Sequence, residues 1–385
     1  MNELVNTQNK LPLAADTAVL EAVVAHASAS IMEHGLIERL HQENAAAEKG
    51  GNSVFRIGNS LRELSADMAT LAVAAAGGAA VSQRVWEIIG KDLLPFIVAQ
   101  PQINFQGRNN QPPWNADLWT ADIGLNLSLT TTYAPQTALD LSPIKKFIAQ
   151  KCVRPILADW LDDATRIHSL DSMGHNWWSV IVSGAGAMAA LLGDDVLAAR
   201  IAAELSEWAH YPGNVFSRKQ PNFGPEGDYI EGFGYAEYGL QNVFIFSHLY
   251  PSLKVVPNLI TAEQARGLAR WLRRSILPVE GGFHSLRFGN IPLSRTVRPE
   301  VWHSLAVLAG DEQLLWAAHQ ARPTPKTATE LLLWKQPPNE PPTRPSEPLA
   351  IFPTSGVAFL ERGTQFVAIR SGEFVAQGDH WPHES

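Results

Sequence analysis

The sequence predicts a mainly α-helical protein that ends in a short β segment. Apolar residues recur at helical spacing through most of residues 17–325. Six prolines follow within residues 337–348, and beyond them the apolar residues form short, partly β-branched runs. We therefore expect a helical domain over residues 1–336, a proline-rich linker over 337–350 and a strand-forming segment over 351–385.

The composition limits the classes of function. A chain of 385 residues with 45% hydrophobic residues is long enough for one large helical domain or for two domains, and it is not disordered throughout. A net charge of −8 argues against a general nucleic-acid surface, although a cleft on such a protein can be locally basic. Cys152 is the single cysteine, so no internal disulfide is expected.

The sequence predicts neither a membrane span nor a secretion signal. No run of about 20 apolar residues is present, and the first 16 residues lack a basic head followed by an apolar stretch. Both a reducing compartment and the bacterial periplasm remain open.

The helices can be assigned in chain order. Residues 17–46 form one or two helices, and the stop at Gly77-Gly78 separates helices over 61–76 and 81–98. Residues 99–135 change in character, and within them residues 102–119 are polar, contain aromatic residues and show no period. This stretch predicts a long loop, which either lines a site or covers a helix end. Further helices are expected over residues 143–161, 177–192, 194–210, 236–249, 261–277, 299–309 and 311–321.

Two local patterns refine this assignment. Asn176 is suited to cap the helix over 177–192, whose Gly184 and Gly186 predict close contact with a neighbouring helix. Beyond the linker, the runs 357–360 and 366–369 predict an antiparallel hairpin. An isolated hairpin is only marginally stable, so it packs on the helices or begins a larger β domain. We expect no strand before the linker.

Three stretches combine polar and aromatic residues in a way that core helices rarely do. Residues 227–239 hold three acids, three tyrosines and four glycines, and residues 174–178 and 379–384 are similarly mixed. Acids and phenols are proton-transfer groups, glycines allow a close approach of the backbone, and tryptophans beside His and Asn suggest sugar-stacking faces. We expect the three stretches to meet at one carbohydrate site.

These stretches resemble the heparinase II/III-like polysaccharide lyases. The resemblance is carried by His175-Asn176-Trp177-Trp178, by residues 227–232 with Tyr235 and Tyr238, and by Gly282-Phe283-His284. It implies an incomplete (α/α) toroid followed by the first strands of an antiparallel β-sandwich, with a cleft between them. It also implies β-elimination of a uronic-acid-containing polysaccharide or oligosaccharide. The chain departs from the family pattern at Asn290, where Asp is common, and at the spacing of His380 and His383.

The chemistry of elimination assigns roles to the matching residues. The proton beside a uronate carboxylate becomes acidic only when the carboxylate charge is neutralised, so the site needs a neutralising donor, a base and an acid. The resemblance gives the proton transfers to Tyr235, which could otherwise be a core-packing aromatic. His175 and Asn176 are the expected neutralising pair. Glu231 would orient a histidine or bind sugar hydroxyls, unless it is an exposed acid at a helix start.

The remaining candidates would bind the substrate or complete the catalytic set. His284 and Arg287 could bind the carboxylate or form a surface turn. His380 and His383 could supply a second proton-transfer group or ligate Zn²⁺ or Ca²⁺, although two histidines do not complete a zinc site; no cofactor is certain. Candidate contacts to the sugar are Trp114, Trp119, Trp177, Tyr229 and Tyr238.

Two other functions remain open at this stage. One is a glycoside hydrolase on a helical toroid, with Asp228, Glu231 or Glu226 as its acid and base. The other is a carbohydrate-binding toroid without catalytic activity.

Overall fold

The computed structural model describes residues 11–49, 53–100, 118–135, 139–162, 173, 176–213, 215, 220–251, 260–279, 282–286, 298–343, 347–363 and 365–371, with the backbone alone for 277–279 and 282–285. Within these residues the protein is mainly helical and carries a small three-stranded antiparallel sheet near its C-terminus. The mainly α class with a C-terminal β segment is therefore confirmed.

The described part of the chain forms fifteen α-helices, four of which are extended or joined by π-helical turns. They are α1 Thr17–Ile31, α2 Leu36–Ala47, α3 Ser53–Ala76, α4 Gln83–Ile88, α5 Leu94–Val98, α6 Leu118–Tyr133, α7 Ser142–Phe147, α8 Arg154–Ile156, α9 Asn176–Leu192, α10 Asp195–Ala209, α11 Phe233–Leu249, α12 Ala262–Arg274, α13 Pro299–Ala309, α14 Glu312–Ala321 and α15 Ala328–Leu333. The π-helical turns are Ile89–Leu93, Ile148–Val153 and Leu157–Asp162. None of the described helices is both long and apolar enough to cross a bilayer.

The main helix contacts form a closed series. Helix α3 packs on α6, α6 on α9, α9 on α11, α11 on α13, α13 on α15, and α15 returns to α3. Helices α1 and α2 lie against α3, α10 against α9, and α12 and α14 against α13. Each of these outer helices therefore has a partner within the series of six.

Helices α9 and α11 of this series run in the same direction. Ser179 and Gly186 of α9 lie beside Gly239 and Phe246 of α11, so the contacts advance together along both helices. The prediction of close approach at the small residues is confirmed, because a Cβ added at Gly186 would lie 2.5 Å from the ring of Phe246.

Helix α6 lies within residues 99–135, where the sequence analysis predicted no helix, and it begins at the end of the stretch 102–119 that was predicted to be a polar loop. Leu118–Tyr133 is helical, and Trp119 lies in its first turn with only 8% of its surface exposed. Neighbours cover this helix on most sides, and a helix buried all round shows no amphipathic period. Its many Thr, Ser and Asn residues also have modest helix propensity.

Strands occur both before and after the proline-rich stretch. Strands β1 Ile276–Val279 and β2 Gly282–Ser285 pair antiparallel, so the expectation of no strand before the linker was wrong. The helix predicted to reach residue 277 ends at Arg274 instead. The apolar run there is too short for its pattern to distinguish a strand from the end of a helix.

The C-terminal sheet confirms the predicted hairpin and adds one strand. Strand β4 Val357–Arg362 pairs antiparallel with β5 Gln365–Arg370, through the turn at Gly363. Strand β3 Leu349–Phe352 pairs with the other edge of β4 and begins inside the segment expected to be a linker. No parallel pairing is present among the described strands.

The sheet is fastened to the helices by buried polar contacts. Arg274 of α12 is 4% exposed and bonds Glu347, before β3, at 2.8 Å and Glu361 of β4 at 2.7 Å. Asp228 accepts a 2.5 Å hydrogen bond from the backbone N–H of Ser355, in the turn between β3 and β4. The segment that leads into α11 therefore lies at the junction of helices and sheet.

Candidate active site

The glycine-rich segment before α11 has the backbone conformations that its glycines predict. Gly227 and Gly232 have φ of +83° and +90°, values that L side chains rarely adopt. A Cβ added at Gly227 would collide with the backbone of α12 at Gly267 and Leu268. The close approach therefore serves packing against α12, and it directs the chain into α11 immediately after Gly232.

Glu231 is the centre of a buried hydrogen-bond network between α9 and the start of α11. Its Oε2 accepts from the backbone N–H of Asn176 at 2.8 Å, from the Asn176 side-chain amide at 3.1 Å and from the Tyr229 hydroxyl at 3.0 Å. None of the three residues is more than 1% exposed. A carboxylate with this number of donors compensates much of its desolvation through charge-assisted hydrogen bonds.

Asn176 is the first residue of α9 rather than its cap. It was predicted to cap the helix by accepting a hydrogen bond, but its side chain donates to Glu231 instead. Its Oδ1 has no hydrogen-bond partner within the described residues. Exchanging the amide O and N would set two oxygens against each other, so the bond to Glu231 fixes the orientation of the amide.

Ser179, one turn into α9, is a contributor that the sequence analysis missed. Its hydroxyl lies 2.9 Å from the carbonyl of Asn176 and 3.0 Å from that of Gly239. A Cβ at Gly239 would lie 3.0 Å from this hydroxyl and 3.6 Å from the Cβ of Asn176. In the sequence, the signal for this close contact is the glycine at position 239, which follows Tyr235 by one helical turn.

Tyr235 lies in the first turn of α11, four residues after Glu231 and four before Gly239. Residues four apart share a helix face, so Tyr235 lies on the face of α11 that contacts α9 at Asn176. Its side chain is half-buried against the core cluster. The structure thus brings Tyr235, Glu231 and Asn176 into one region, where the sequence analysis expected them.

The predicted sugar contacts differ in exposure. Tyr229 is 1% exposed, and its ring packs against Trp208 and Phe223. Burial, followed by the negative charge of Glu231, raises the pKa of Tyr229 well above its usual value. Stacking on a sugar requires an exposed face, so Tyr229 supports Glu231 instead, and the buried Trp119 packs edge-on against Phe55.

Trp177 and Tyr238 keep part of their surface accessible. Trp177 follows Asn176 in α9 and is half-buried. Tyr238 is also half-buried, and the guanidinium carbon of Arg298 lies 4.9 Å from the centre of its ring. These two aromatic residues therefore retain the surface that contact with a ligand requires.

The other predicted site residues are not described at side-chain level. His284 lies in β2, where its backbone pairs with Leu277. His175, Arg287, His380, His383 and Trp114 lie outside the described residues. Among the side chains that are described, no group of three or more His, Cys, Asp or Glu could hold a metal ion.

Asp228 and Glu226, the acids of the hydrolase alternative, have structural partners. Asp228 is fully buried beneath the β3–β4 turn, and burial raises the pKa of its carboxyl. Glu226 is exposed and pairs with Arg270 at 3.1 Å. Both acids therefore help to join the segment before α11 to its surroundings.

No protein-family model matches this chain, and no curated protein matches it significantly.

Proposed function

We propose that this protein is a polysaccharide lyase that cleaves a uronic-acid-containing polysaccharide or oligosaccharide by β-elimination, with Tyr235 as the proton-transfer residue. The observation that carries the proposal is the buried Asn176–Glu231 contact of 2.8 Å, which fastens the start of α9 to the segment that leads into α11. It holds Tyr235, half-buried, in the first turn of α11.

The helix packing supports a toroid of the kind that the resemblance implies. The series α3, α6, α9, α11, α13, α15 is closed by the contact of α15 with α3. Parallel inner helices joined through antiparallel outer helices produce an (α/α) toroid. We infer that these six are its inner helices and that α10, α12 and α14 belong to its outer layer.

The C-terminal sheet supports the second part of the fold proposal. One face packs on the helices through Phe352, Val357 and Phe359, which are at most 2% exposed. The other face exposes large apolar side chains, each 44–53% accessible, namely Leu349, Ile351, Leu360, Val367 and Ile369. In a β-sandwich a second sheet covers an apolar face of this kind, so the exposed apolar face is where a further sheet would pack.

The reaction needs a base that takes the proton from the C–H bond and an acid that protonates the oxygen released from the glycosidic C–O bond. The Tyr235 phenolate takes the proton from the carbon beside the uronate carboxylate. The electron pair of that bond forms the new carbon–carbon double bond, and the glycosidic oxygen leaves and accepts a proton. A single tyrosine can return this proton to the leaving oxygen if both atoms lie within about 3 Å of its hydroxyl.

The buried network determines which residues touch the substrate. Asn176 and Glu231 are inaccessible, so we assign them to positioning Tyr235 and the start of α9. The donor that neutralises the carboxylate must then come from the other residues that the resemblance implies, which are His175, His284 and Arg287. The C-terminal histidines remain candidates for the second proton transfer.

The two alternatives receive less support from the described residues. A glycoside hydrolase needs two carboxyl groups that flank the scissile bond, whereas Asp228 and Glu231 are at most 1% exposed and are hydrogen-bonded to protein groups. A binding protein without activity would not need the phenol of Tyr235.

Product chemistry tests the proposal directly. The purified full chain is incubated separately with heparan sulfate, chondroitin sulfate, alginate and ulvan, and ultraviolet absorbance and reducing ends are followed together. A lyase produces both signals, because each cleavage leaves a conjugated unsaturated uronate and a new reducing end. Reducing ends without absorbance would establish a hydrolase, and binding without either signal would establish a carbohydrate-binding protein.

A further inference from the structure

A polar cavity of about 450 Å³ lies within the closed series of helices. Its wall is formed by residues from α3, α6, α11, α13 and α15, together with Arg322 and Thr327 from the segment before α15. Asn59 and Glu63 of α3 are exposed, whereas Asn242, Glu300 and Glu330 are buried. The cavity therefore extends from the surface at α3 to a buried floor, within the size range of small-molecule sites.

The floor contains a buried carboxylate with an unused acceptor. Glu300 is 4% exposed, and its Oε1 accepts from the Gln241 side-chain amide at 2.8 Å. Its Oε2 has no hydrogen-bond partner among the described residues. A buried carboxylate oxygen without a donor costs free energy, and a bound ligand that supplies a hydroxyl group or an N–H would remove that cost.

The side chains around Glu300 are held in fixed positions. The Arg298 guanidinium donates to Gln241 and covers the ring of Tyr238 at 4.9 Å. On the far side, Arg322 bonds Glu330 at 2.7 Å. Because hydrogen bonds and a ring contact hold these groups in place, the cavity presents a preformed set of planar polar groups and one aromatic ring.

The charges of the lining select against a strongly charged ligand. Three arginines, Arg62, Arg298 and Arg322, face four acids, Glu63, Asp122, Glu300 and Glu330. Arg62 pairs with Asp122, and Arg322 pairs with Glu330. Burial raises the pKa of Glu300, and burial with the nearby Glu300 raises that of Glu330 to about 7, so the negative charge of the floor is partly lost near neutrality.

We propose that this cavity is a binding site for a neutral, hydroxyl-rich ring of monosaccharide size. Hydroxyl groups both donate and accept, so they can satisfy the carboxylates, amides and guanidinium groups of the lining together. The ring of Tyr238 provides an apolar surface against which the C–H face of a sugar would pack. The proposal does not rest on lyase activity, because it concerns binding in the cavity and no step of the elimination.

A matched pair of bulk-adding variants tests the site. Ala66 lines this cavity, whereas Ala22 lines a separate cavity of about 440 Å³ beside α1. Binding of glucose, galactose, mannose, N-acetylglucosamine and myo-inositol is measured by saturation-transfer NMR, first with the wild-type chain. We expect at least one to bind with a Kd of about 1 mM or tighter. Ala66→Phe should weaken that binding at least about tenfold, and Ala22→Phe should leave it unchanged.

Glu300→Gln keeps the shape of the floor and is the second test, which also serves if Ala66→Phe does not fold. We expect it to weaken sugar binding about fivefold or more, since the amide replaces one acceptor oxygen with a donor. Putrescine and inorganic sulfate serve as charged probes. No sugar binding, sugar binding that survives both variants, or tighter binding of either charged probe in the cavity would overturn the proposal. Loss of turnover in Tyr235→Phe with sugar binding retained would leave it intact.

Discussion

Glu231 and Glu300 are both buried carboxylates beside α11, yet they occupy opposite environments. The Oε2 of Glu231 receives three hydrogen bonds of 2.8–3.1 Å from groups that are themselves buried. The Glu300 carboxylate receives one side-chain hydrogen bond, from Gln241, and lines a cavity of about 450 Å³. Three protein donors converge on one oxygen of the first carboxylate, whereas the second receives a single side-chain hydrogen bond and borders space for another molecule.

This difference distinguishes a carboxylate that stabilises the fold from one that can bind a ligand. A carboxylate whose donors are all protein groups stabilises the fold and positions its neighbours, and removing it leaves those donors unsatisfied. A buried carboxylate with an unsatisfied oxygen costs stability in the empty protein, and a ligand that supplies a donor offsets that cost. We therefore assign Glu231 to the positioning of Tyr235 and Glu300 to the floor of a binding site.

The largest effect on stability is expected from replacing these two carboxylates in turn by the isosteric amide. Glu231→Gln removes the charge that receives three hydrogen bonds, and we expect a loss of about 3 kcal/mol in the free energy of unfolding. Glu300→Gln removes a poorly solvated charge, so stability should stay within about 1 kcal/mol of the wild type or increase. Urea unfolding at pH 7 measures both, and equal losses in the two variants would remove the distinction.

The pH dependence of stability provides a second test, at Glu330. Its pKa is raised from 4.5 to about 7 in the folded protein, so the folded state holds a proton that the unfolded chain releases. The resulting contribution to stability is present below pH 4.5 and is lost as the pH rises to about 7. We expect a decrease of about 2 kcal/mol between pH 5 and 7.

Glu330→Gln should flatten this part of the stability profile, which chemical unfolding at a series of pH values records. Glu347, whose Arg270 and Arg274 partners lower its pKa, supplies the matched control Glu347→Gln. The control should leave the decrease between pH 5 and 7 in place. A decrease that persists in Glu330→Gln would show that other groups cause it.

A smaller effect is expected at the junction with the sheet. Asp228→Asn keeps the size of the side chain but weakens the hydrogen bond from the Ser355 N–H, so the loss should be about 1 kcal/mol. Hydrogen exchange at the Ser355 amide should accelerate, while amides in the middle of α9 stay protected. Unchanged exchange at Ser355 would argue against a fastening role for Asp228.

The smallest effect is expected at Gly239. Gly239→Ala gains about 1 kcal/mol of helix propensity but places a methyl group 3.0 Å from the Ser179 hydroxyl. We expect stability to stay within about 1 kcal/mol of the wild type, while turnover falls because α11 shifts relative to Asn176. Thermal unfolding and initial rates measure the two effects, and unchanged turnover would show that Tyr235 tolerates this shift.

The sequence predicted the helical class from its periodicity, and it predicted the clustering of Asn176, Glu231 and Tyr235 from the shared polar and aromatic composition of their stretches. Helical periodicity identifies amphipathic helices, and positive φ at Gly227 and Gly232 follows from the glycines themselves. Helix α6 was missed because burial on most sides erases its period, and β1–β2 because four-residue strands carry too little pattern.

The cavity could not be predicted because its residues are far apart in the sequence. Glu300 begins a helix after a proline, and Glu330 lies in the first turn of another, positions where acids are common on solvent-exposed helices. Their burial results from the contact of α15 with α3, which no local pattern indicates. Tyr229 was assigned to the sugar contacts for a related reason, since no local pattern reveals that its ring packs against Trp208 and Phe223.

Turnover of Tyr235→Phe, compared with Tyr229→Phe, tests the central claim most directly. Each variant removes one hydroxyl, and the formation of unsaturated uronate is followed by ultraviolet absorbance on the substrate that the wild type cleaves. We predict that Tyr235→Phe lowers kcat about 10²- to 10⁴-fold, with a Tm within about 2 °C of the wild type. Tyr229→Phe should lose about 1 kcal/mol of stability and keep most of its turnover. Retained turnover in Tyr235→Phe would contradict the account.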